Sequence, residues 1–166
     1  MLAAIDFVSK AVFAEIPPAP DMVALSIGDP CELPPATLSR YRHSLRLEFL
    51  DIEPDNLHPR FHDMLAHACS REQVQQAMAW LSDLAHQPTP FRLVVHCHAG
   101  VSRSAAFALL AESLAPGCEF PRRADAFYAN RHVLALACQL FNTTIVLPAF
   151  PQVGEPHHFC SMALQV

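Results

Sequence analysis

The chain has 166 residues and a formal net charge of −5, and 52% of its residues are hydrophobic while 16% are charged. This length suits one domain with its own core, so we expect a single domain over residues 1–166, with a poorly patterned tail from about residue 148. Because there is no basic surplus, the composition argues against binding to nucleic acid or to an acidic membrane surface. No apolar run approaches the roughly 20 residues that a membrane-spanning helix needs.

The cysteines and the N-terminus indicate the compartment. The six cysteines show no paired Cys-x-x-Cys spacing, and Asp6 interrupts the first apolar run. The N-terminus therefore lacks the pattern of a signal peptide. We expect a soluble protein in the reducing cytoplasm.

The first third of the chain alternates strand and helix signals. Apolar runs predict strands at residues 5–8 and 22–27, and strict alternation of apolar and charged residues predicts a third at 45–49. Ser9 is a candidate N-cap for a helix over residues 10–16, which Pro17 stops. The third strand delivers Asp51 just after its end.

The remainder continues the alternation. Helical spacing predicts a short helix over residues 61–68 after Pro59, and Ser70 with Gln73 reads as a capping box that opens a longer helix. An apolar face follows on that helix: Val74, Ala77, Met78, Leu81 and Leu84. A strand at 91–95, a helix at 103–115 and a last helix at 124–141 complete the pattern.

Strands that alternate with helices predict an α/β fold with a mostly parallel sheet covered by helices on both faces. In such sheets the ligand site is expected at the carboxyl ends of the strands. We therefore expect the residues of the site to lie just after the end of a strand.

The segment His96-Cys97-His98-Ala99-Gly100-Val101-Ser102-Arg103-Ser104 fits that position. It lies between a predicted strand and a predicted helix, so its backbone N–H groups can form a concave nest for a tetrahedral oxyanion. A thiol beside a helix N-terminus and a cation is stabilised as thiolate, the nucleophilic form. Cys97 is therefore a candidate nucleophile, and Gly100 suits a position that needs positive φ or a close approach of phosphate.

This segment resembles the signature of the cysteine-dependent protein tyrosine phosphatase superfamily, and most closely the loop His-Cys-x-Ala-Gly-x-Ser-Arg-Ser of its dual-specificity and bacterial members. The resemblance implies the phosphatase-like α/β fold and a metal-free, cofactor-free reaction through a phosphocysteine. It implies that Cys97 attacks phosphorus, that Arg103 clamps two phosphate oxygens, and that His96 helps to hold the thiolate. Ser104 would stabilise the thiolate as it leaves, and residues 98–103 would bind the phosphate.

The family also uses an aspartic acid, upstream of the cysteine and commonly just after a strand, to protonate the leaving oxygen. Asp51 resembles that residue, although its separation from Cys97 is 97 − 51 = 46 residues, which is longer than in the dual-specificity group. Asp55 and Asp63 are the alternatives. Surface aspartates at loop ends are often only caps or solvated charges.

Other candidates have bland interpretations. His98 and Val101 occupy variable loop positions where phosphoinositide-directed relatives carry lysines. Their identity here weakens the case for a lipid substrate. Two groups of residues could suggest a zinc site: His58 with His62, and the cluster His157, His158 and Cys160. Neither group has the further ligands that would complete the four convergent ligands of such a site. Asn130 and Arg131 either face the site or form an ordinary pair on a helix surface.

The sequence thus predicts a phosphatase that hydrolyses phosphomonoesters, with phosphotyrosine in proteins as the first expectation and dual specificity or a small phosphomonoester as variants. One alternative is a phosphate-binding pseudophosphatase, which usually lacks the cysteine, the arginine or the acid. Another is a rhodanese-like sulfurtransferase, against which the loop length and its terminal Arg-Ser argue. The sequence carries no signal for an oligomeric state.

Overall fold

The computed structural model describes residues 1–151. Four parallel strands form one sheet in the order β1-β4-β2-β3. The strands are β1 Leu2–Ser9, β2 Met22–Gly28, β3 His43–Glu48 and β4 Phe91–Cys97. Their carboxyl ends meet at one edge of the sheet, so the α/β fold with a parallel sheet is confirmed.

Helices cover both faces of this sheet. They are α1 Lys10–Glu15, α2 Arg71–Ala85, α3 Arg103–Leu114 and α4 Arg131–Phe141. Short 3₁₀ helices connect them at Ala36–Arg40, Pro54–Asn56, Pro59–His67 and Arg123–Tyr128. In the part of the chain up to residue 151, no helix combines the length and the apolar character needed to cross a bilayer.

The central strand β4 shows how the two faces differ. Val95 and Cys97 belong to the larger core, which α2, α3 and α4 complete. Val94 points the other way, into a smaller core that contains Phe13 of α1. Leu93, Val94 and Val95 of β4 are all apolar and do not alternate with polar residues, as is typical of a strand that is buried on both faces.

The predicted helix starts are confirmed where side chains cap them. The Val12 N–H donates to Ser9 Oγ at the start of α1. Ser70 and Gln73 form both hydrogen bonds of a capping box at the start of α2. The five apolar residues predicted on the inner face of α2 are all buried.

Two predicted helices differ in the structure. Residues 61–68 were expected to form a short helix. A helix is present there, but Pro59–His67 is a 3₁₀ helix with no buried residue, because its apolar side chains find no core to pack against. The prediction of a single helix over 124–141 is wrong. That segment is broken into Arg123–Tyr128 and α4, since Asn130 is the N-cap of α4 and has a non-helical backbone with φ −56° and ψ 112°.

Candidate active site

Cys97 is the last residue of β4, and after five intervening residues Arg103 begins α3. The thiol is 1% exposed. Its sulfur accepts a hydrogen bond from the Gly100 N–H at 3.3 Å and lies 3.2 Å from Ser104 Oγ. Because a thiolate has no proton, the Ser104 hydroxyl must be the donor when Cys97 is ionised.

Gly100 is required by the way the loop packs against β1. Its φ is +70°, and a Cβ atom there would overlap the backbone at Val8 and Ser9. The loop makes a second contact just after the end of β1, where the Lys10 N–H donates to the His98 carbonyl at 3.2 Å. The tight turn of the loop around Cys97 therefore depends on the absence of a side chain at Gly100.

The N-terminus of α3 is not capped by a side chain. Ser102 is the N-cap residue, and such a serine normally accepts a hydrogen bond from the first turn. Here its side chain caps nothing, and its hydroxyl donates instead to Asp51 Oδ1 at 2.7 Å. The backbone N–H groups of the first turn, which have no partner inside the helix, are therefore left for an anion.

Arg103 is 5% exposed and is held from one side. Its Nη1 donates to Asp29 Oδ1 and to the Phe49 carbonyl, both at 2.7 Å. Its Nε is buried and has no hydrogen-bond partner in the part of the chain that the structure describes. A buried, charged donor without a partner is costly, which makes this nitrogen a natural contact for an oxyanion.

Sequence reasoning missed Asp29. In the sequence, the segment Gly28-Asp29-Pro30 indicates only the end of the strand predicted at 22–27. The available signal was position, because β2 neighbours β4 in the sheet and Asp29 directly follows it. Residues that follow neighbouring parallel strands converge at the same edge.

Of the three candidate acids, the structure brings Asp51 to the loop. Its Oδ1 accepts from Ser102 Oγ and, at 2.8 Å, from Asn130 Nδ2. Asp55 lies in the 3₁₀ helix Pro54–Asn56, and Asp63 lies in Pro59–His67. Neither forms a hydrogen bond or ion pair with the loop within residues 1–151.

Asn130 faces the site, so the interpretation of Asn130 and Arg131 as a helix-surface pair is wrong for Asn130. It is 1% exposed, and its backbone N–H donates to the Ser102 carbonyl at 3.1 Å. Arg131 is exposed, and its N–H donates to Glu53 Oε1 at 2.8 Å.

His96 is the residue before Cys97 in β4. Its ring is fully buried and stacks on Phe13 with centroids 4.2 Å apart. Burial, with the nearby positive charges of Arg46 and Lys10, lowers the pKa of His96 to about 4. The ring is therefore neutral at neutral pH and supplies no positive charge to hold a thiolate.

The histidine candidates for metal binding divide into two groups. His58 acts as a cap, since its Nδ1 accepts from the Arg60 N–H at 3.3 Å. The cluster His157, His158 and Cys160 lies outside the described residues.

Comparisons of this chain with protein-family models, with curated proteins and with solved structures find no match.

Gly100→Ala should destabilise the protein by about 3 kcal/mol or more, because it adds the cost of a positive φ to an overlap with the β1 backbone. Gly117→Ala is the matched control. Gly117 has φ +93° with open space around it, so only the conformational cost of about 1–2 kcal/mol applies. Urea unfolding of both variants measures the difference. Equal losses would show that the loop does not pack as described.

The buried His96 should make the protein less stable in acid. Its folded pKa of about 4 lies below the ordinary value of 6.5, so the unfolded chain takes up a proton as the pH falls through this interval and the folded chain does not. The free energy of unfolding should fall by about 3 kcal/mol between pH 6.5 and pH 4 from this group. Urea unfolding across this range measures the loss. His96→Leu should remove that component, whereas His62→Gln, at an exposed position, should retain it.

Proposed function

We propose that this chain is a cysteine-dependent phosphatase of the tyrosine and dual-specificity type, which hydrolyses phosphomonoesters through a phosphocysteine. The observation that carries the proposal is one loop that joins three features. Cys97 Sγ accepts a hydrogen bond from the Gly100 N–H, the first turn of α3 is free of a side-chain cap, and Arg103 Nε is buried without a partner among residues 1–151. Together they suit a tetrahedral anion in front of a nucleophilic sulfur.

In the first step, the Cys97 thiolate attacks phosphorus, so that an S–P bond forms while the ester P–O bond breaks. The loop N–H groups and Arg103 stabilise the charge on the non-bridging oxygens. The leaving oxygen needs a proton, which Asp51 supplies from its place beside the loop.

In the second step, water attacks the phosphocysteine, forming a P–O bond and releasing the thiolate. Asp51, now a carboxylate, accepts the proton of the attacking water. The Ser104 hydroxyl, 3.2 Å from the sulfur, donates to the departing thiolate. The products are inorganic phosphate and the free Cys97 thiolate, which restores the enzyme.

The guanidinium is suited to its role by how it is held. The Asp29 carboxylate and the Phe49 carbonyl occupy Nη1, so the fork is oriented before substrate arrives. Because the geometry is already set, less entropy is lost when two phosphate oxygens bind. This favours phosphoryl transfer over the sulfur transfer of a rhodanese-like enzyme.

We further propose that the substrates are phosphorylated proteins, with phosphotyrosine first, or small phosphomonoesters, and that the protein works in the cytoplasm. The five cysteines among residues 1–151 are free in the structure, which suits a reducing compartment.

Hydrolysis of an aryl phosphate under reducing conditions should persist in EDTA and be lost on alkylation, since the proposed nucleophile is a thiolate and no step uses a metal. Cys97→Ser should abolish turnover while vanadate or phosphate still binds, because the loop and Arg103 remain. Cys31→Ser, at an exposed cysteine outside the loop, is the matched control and should retain activity.

Three results would contradict the proposal. They are activity that chelation removes and Zn²⁺ or Mn²⁺ restores, substantial turnover by Cys97→Ser, and production of thiocyanate from thiosulfate and cyanide in place of phosphate release. Phosphate binding by the wild-type protein with no turnover of any ester would instead indicate a pseudophosphatase.

Asp51→Asn should lower kcat by about 10²–10⁴-fold on an ester with a poor leaving group, because the proton donor is lost. The loss should shrink for nitrophenyl phosphate, whose leaving group departs with little help. Asp55→Asn, on the same connection but with no hydrogen bond or ion pair to the loop among residues 1–151, should leave kcat unchanged on both esters. A series of aryl phosphates of graded leaving-group acidity measures the effect, and equal losses across the series would remove Asp51 from this role.

A further inference from the structure

We infer that Asn130 is a positioning residue for Asp51, and that it determines which carboxyl oxygen serves the reaction. The inference rests on the proposed function, since it assigns a role within that same site. It concerns a residue that touches Asp51 rather than the substrate.

The two oxygens of the Asp51 carboxyl group have unequal surroundings. Oδ1 receives both hydrogen bonds, from Ser102 Oγ at 2.7 Å and from Asn130 Nδ2 at 2.8 Å. Oδ2 accepts none within the described residues. Because Oδ1 is engaged twice, Oδ2 is the oxygen left to carry a proton to the leaving group and to take one from water.

The orientation of the Asn130 amide is determined by its neighbours. Its Oδ1 accepts from the Val133 N–H at 3.0 Å as the N-cap of α4. A flipped amide would put its NH₂ group against that N–H donor, so Nδ2 must face Asp51. The amide can therefore only donate to the carboxyl group.

Asn130 is also fixed in place. The residue is 1% exposed, its backbone N–H donates to the Ser102 carbonyl, and its Nδ2 lies 3.4 Å from the Ile52 carbonyl. The amide thus joins the start of α4, the phosphate loop and the segment after β3. Asp51 is held against the loop by a group that has no freedom of its own, which is what a precise proton donor requires.

Asn130→Asp is the sharpest test. Aspartate has nearly the same size and keeps the N-cap acceptor, but it replaces the amide donor with a carboxylate directed at Asp51 Oδ1. We expect kcat to fall by at least about ten-fold on a poor leaving group, a part of the full 10²–10⁴-fold effect of the acid. The change should be much smaller for nitrophenyl phosphate, and vanadate affinity should stay within about two-fold of wild type because Arg103 is untouched.

Two further variants separate the positioning role from damage to the fold. Asn56→Asp makes the same substitution on the connection that carries Asp51, at an exposed amide that donates to Glu53 and to no other group in the described part of the chain. It should leave the leaving-group dependence unchanged. Asn130→Ser keeps a capping side chain that is too short to reach Asp51. It should reproduce the leaving-group effect without introducing a charge, and it serves if Asn130→Asp does not fold.

The exchange variant Asp51→Asn with Asn130→Asp gives the strongest distinction. In this variant the amide at residue 51 donates and the carboxylate at residue 130 accepts, so a hydrogen bond between the two positions is restored. The melting temperature should therefore recover relative to Asn130→Asp alone. The kcat on poor leaving groups should remain at the level of Asp51→Asn, because no acid is placed at residue 51.

Each outcome has a defined meaning. The positioning role would be overturned if the kcat losses of Asn130→Asp and Asn130→Ser were equal for all leaving groups, or no larger than the loss of Asn56→Asp. The proposed function would survive that result, provided that wild type is a phosphatase and Asp51→Asn behaves as its acid-deficient variant. If wild type hydrolyses no ester, or if Asp51→Asn shows no leaving-group dependence, the proposed function itself fails, and the inference fails with it.

Discussion

The fold of the site depends on one buried cation held by two strand ends. Arg103 opens α3, and its Nη1 reaches Asp29 beyond β2 and the Phe49 carbonyl beyond β3, both at 2.7 Å. These bonds draw the carboxyl ends of three parallel strands together around the start of one helix. A guanidinium that is 5% exposed needs such partners, because an unpaired charge at that depth would be costly. The remaining Nε then has a fixed direction.

Positive potential at the site comes from Arg103 and the helix start, not from the histidine beside Cys97. His96 is neutral, since burial lowers its pKa to about 4, and its ring stacks on Phe13 of α1. Ser102, the natural cap of α3, donates to Asp51 instead. One hydroxyl thus leaves the first turn open to an anion and also tethers the carboxyl group beside it.

Much of the fold was predictable from local sequence. The Ser9 cap and the Ser70–Gln73 capping box are short-range interactions that a pattern of a few residues specifies. The short helix predicted for 61–68 is present as a 3₁₀ helix, whereas the single helix predicted for 124–141 was wrong. Helical spacing indicates an apolar face without indicating what that face packs against. The first finds no core, and the second is broken where the backbone of Asn130 binds the loop.

By itself, the sequence determined three features of the site: the candidate nucleophile Cys97, the loop that follows it, and Gly100 within that loop. All three lie in one short segment of consecutive residues between a strand and the helix that begins at Arg103. Only the tertiary structure decided the rest. Asp29 and Asn130 lie 68 residues before and 33 residues after Cys97 in the chain. They reach the site because parallel strands end at one edge and because a helix start packs against the loop, and such long-range placement leaves no local pattern to detect.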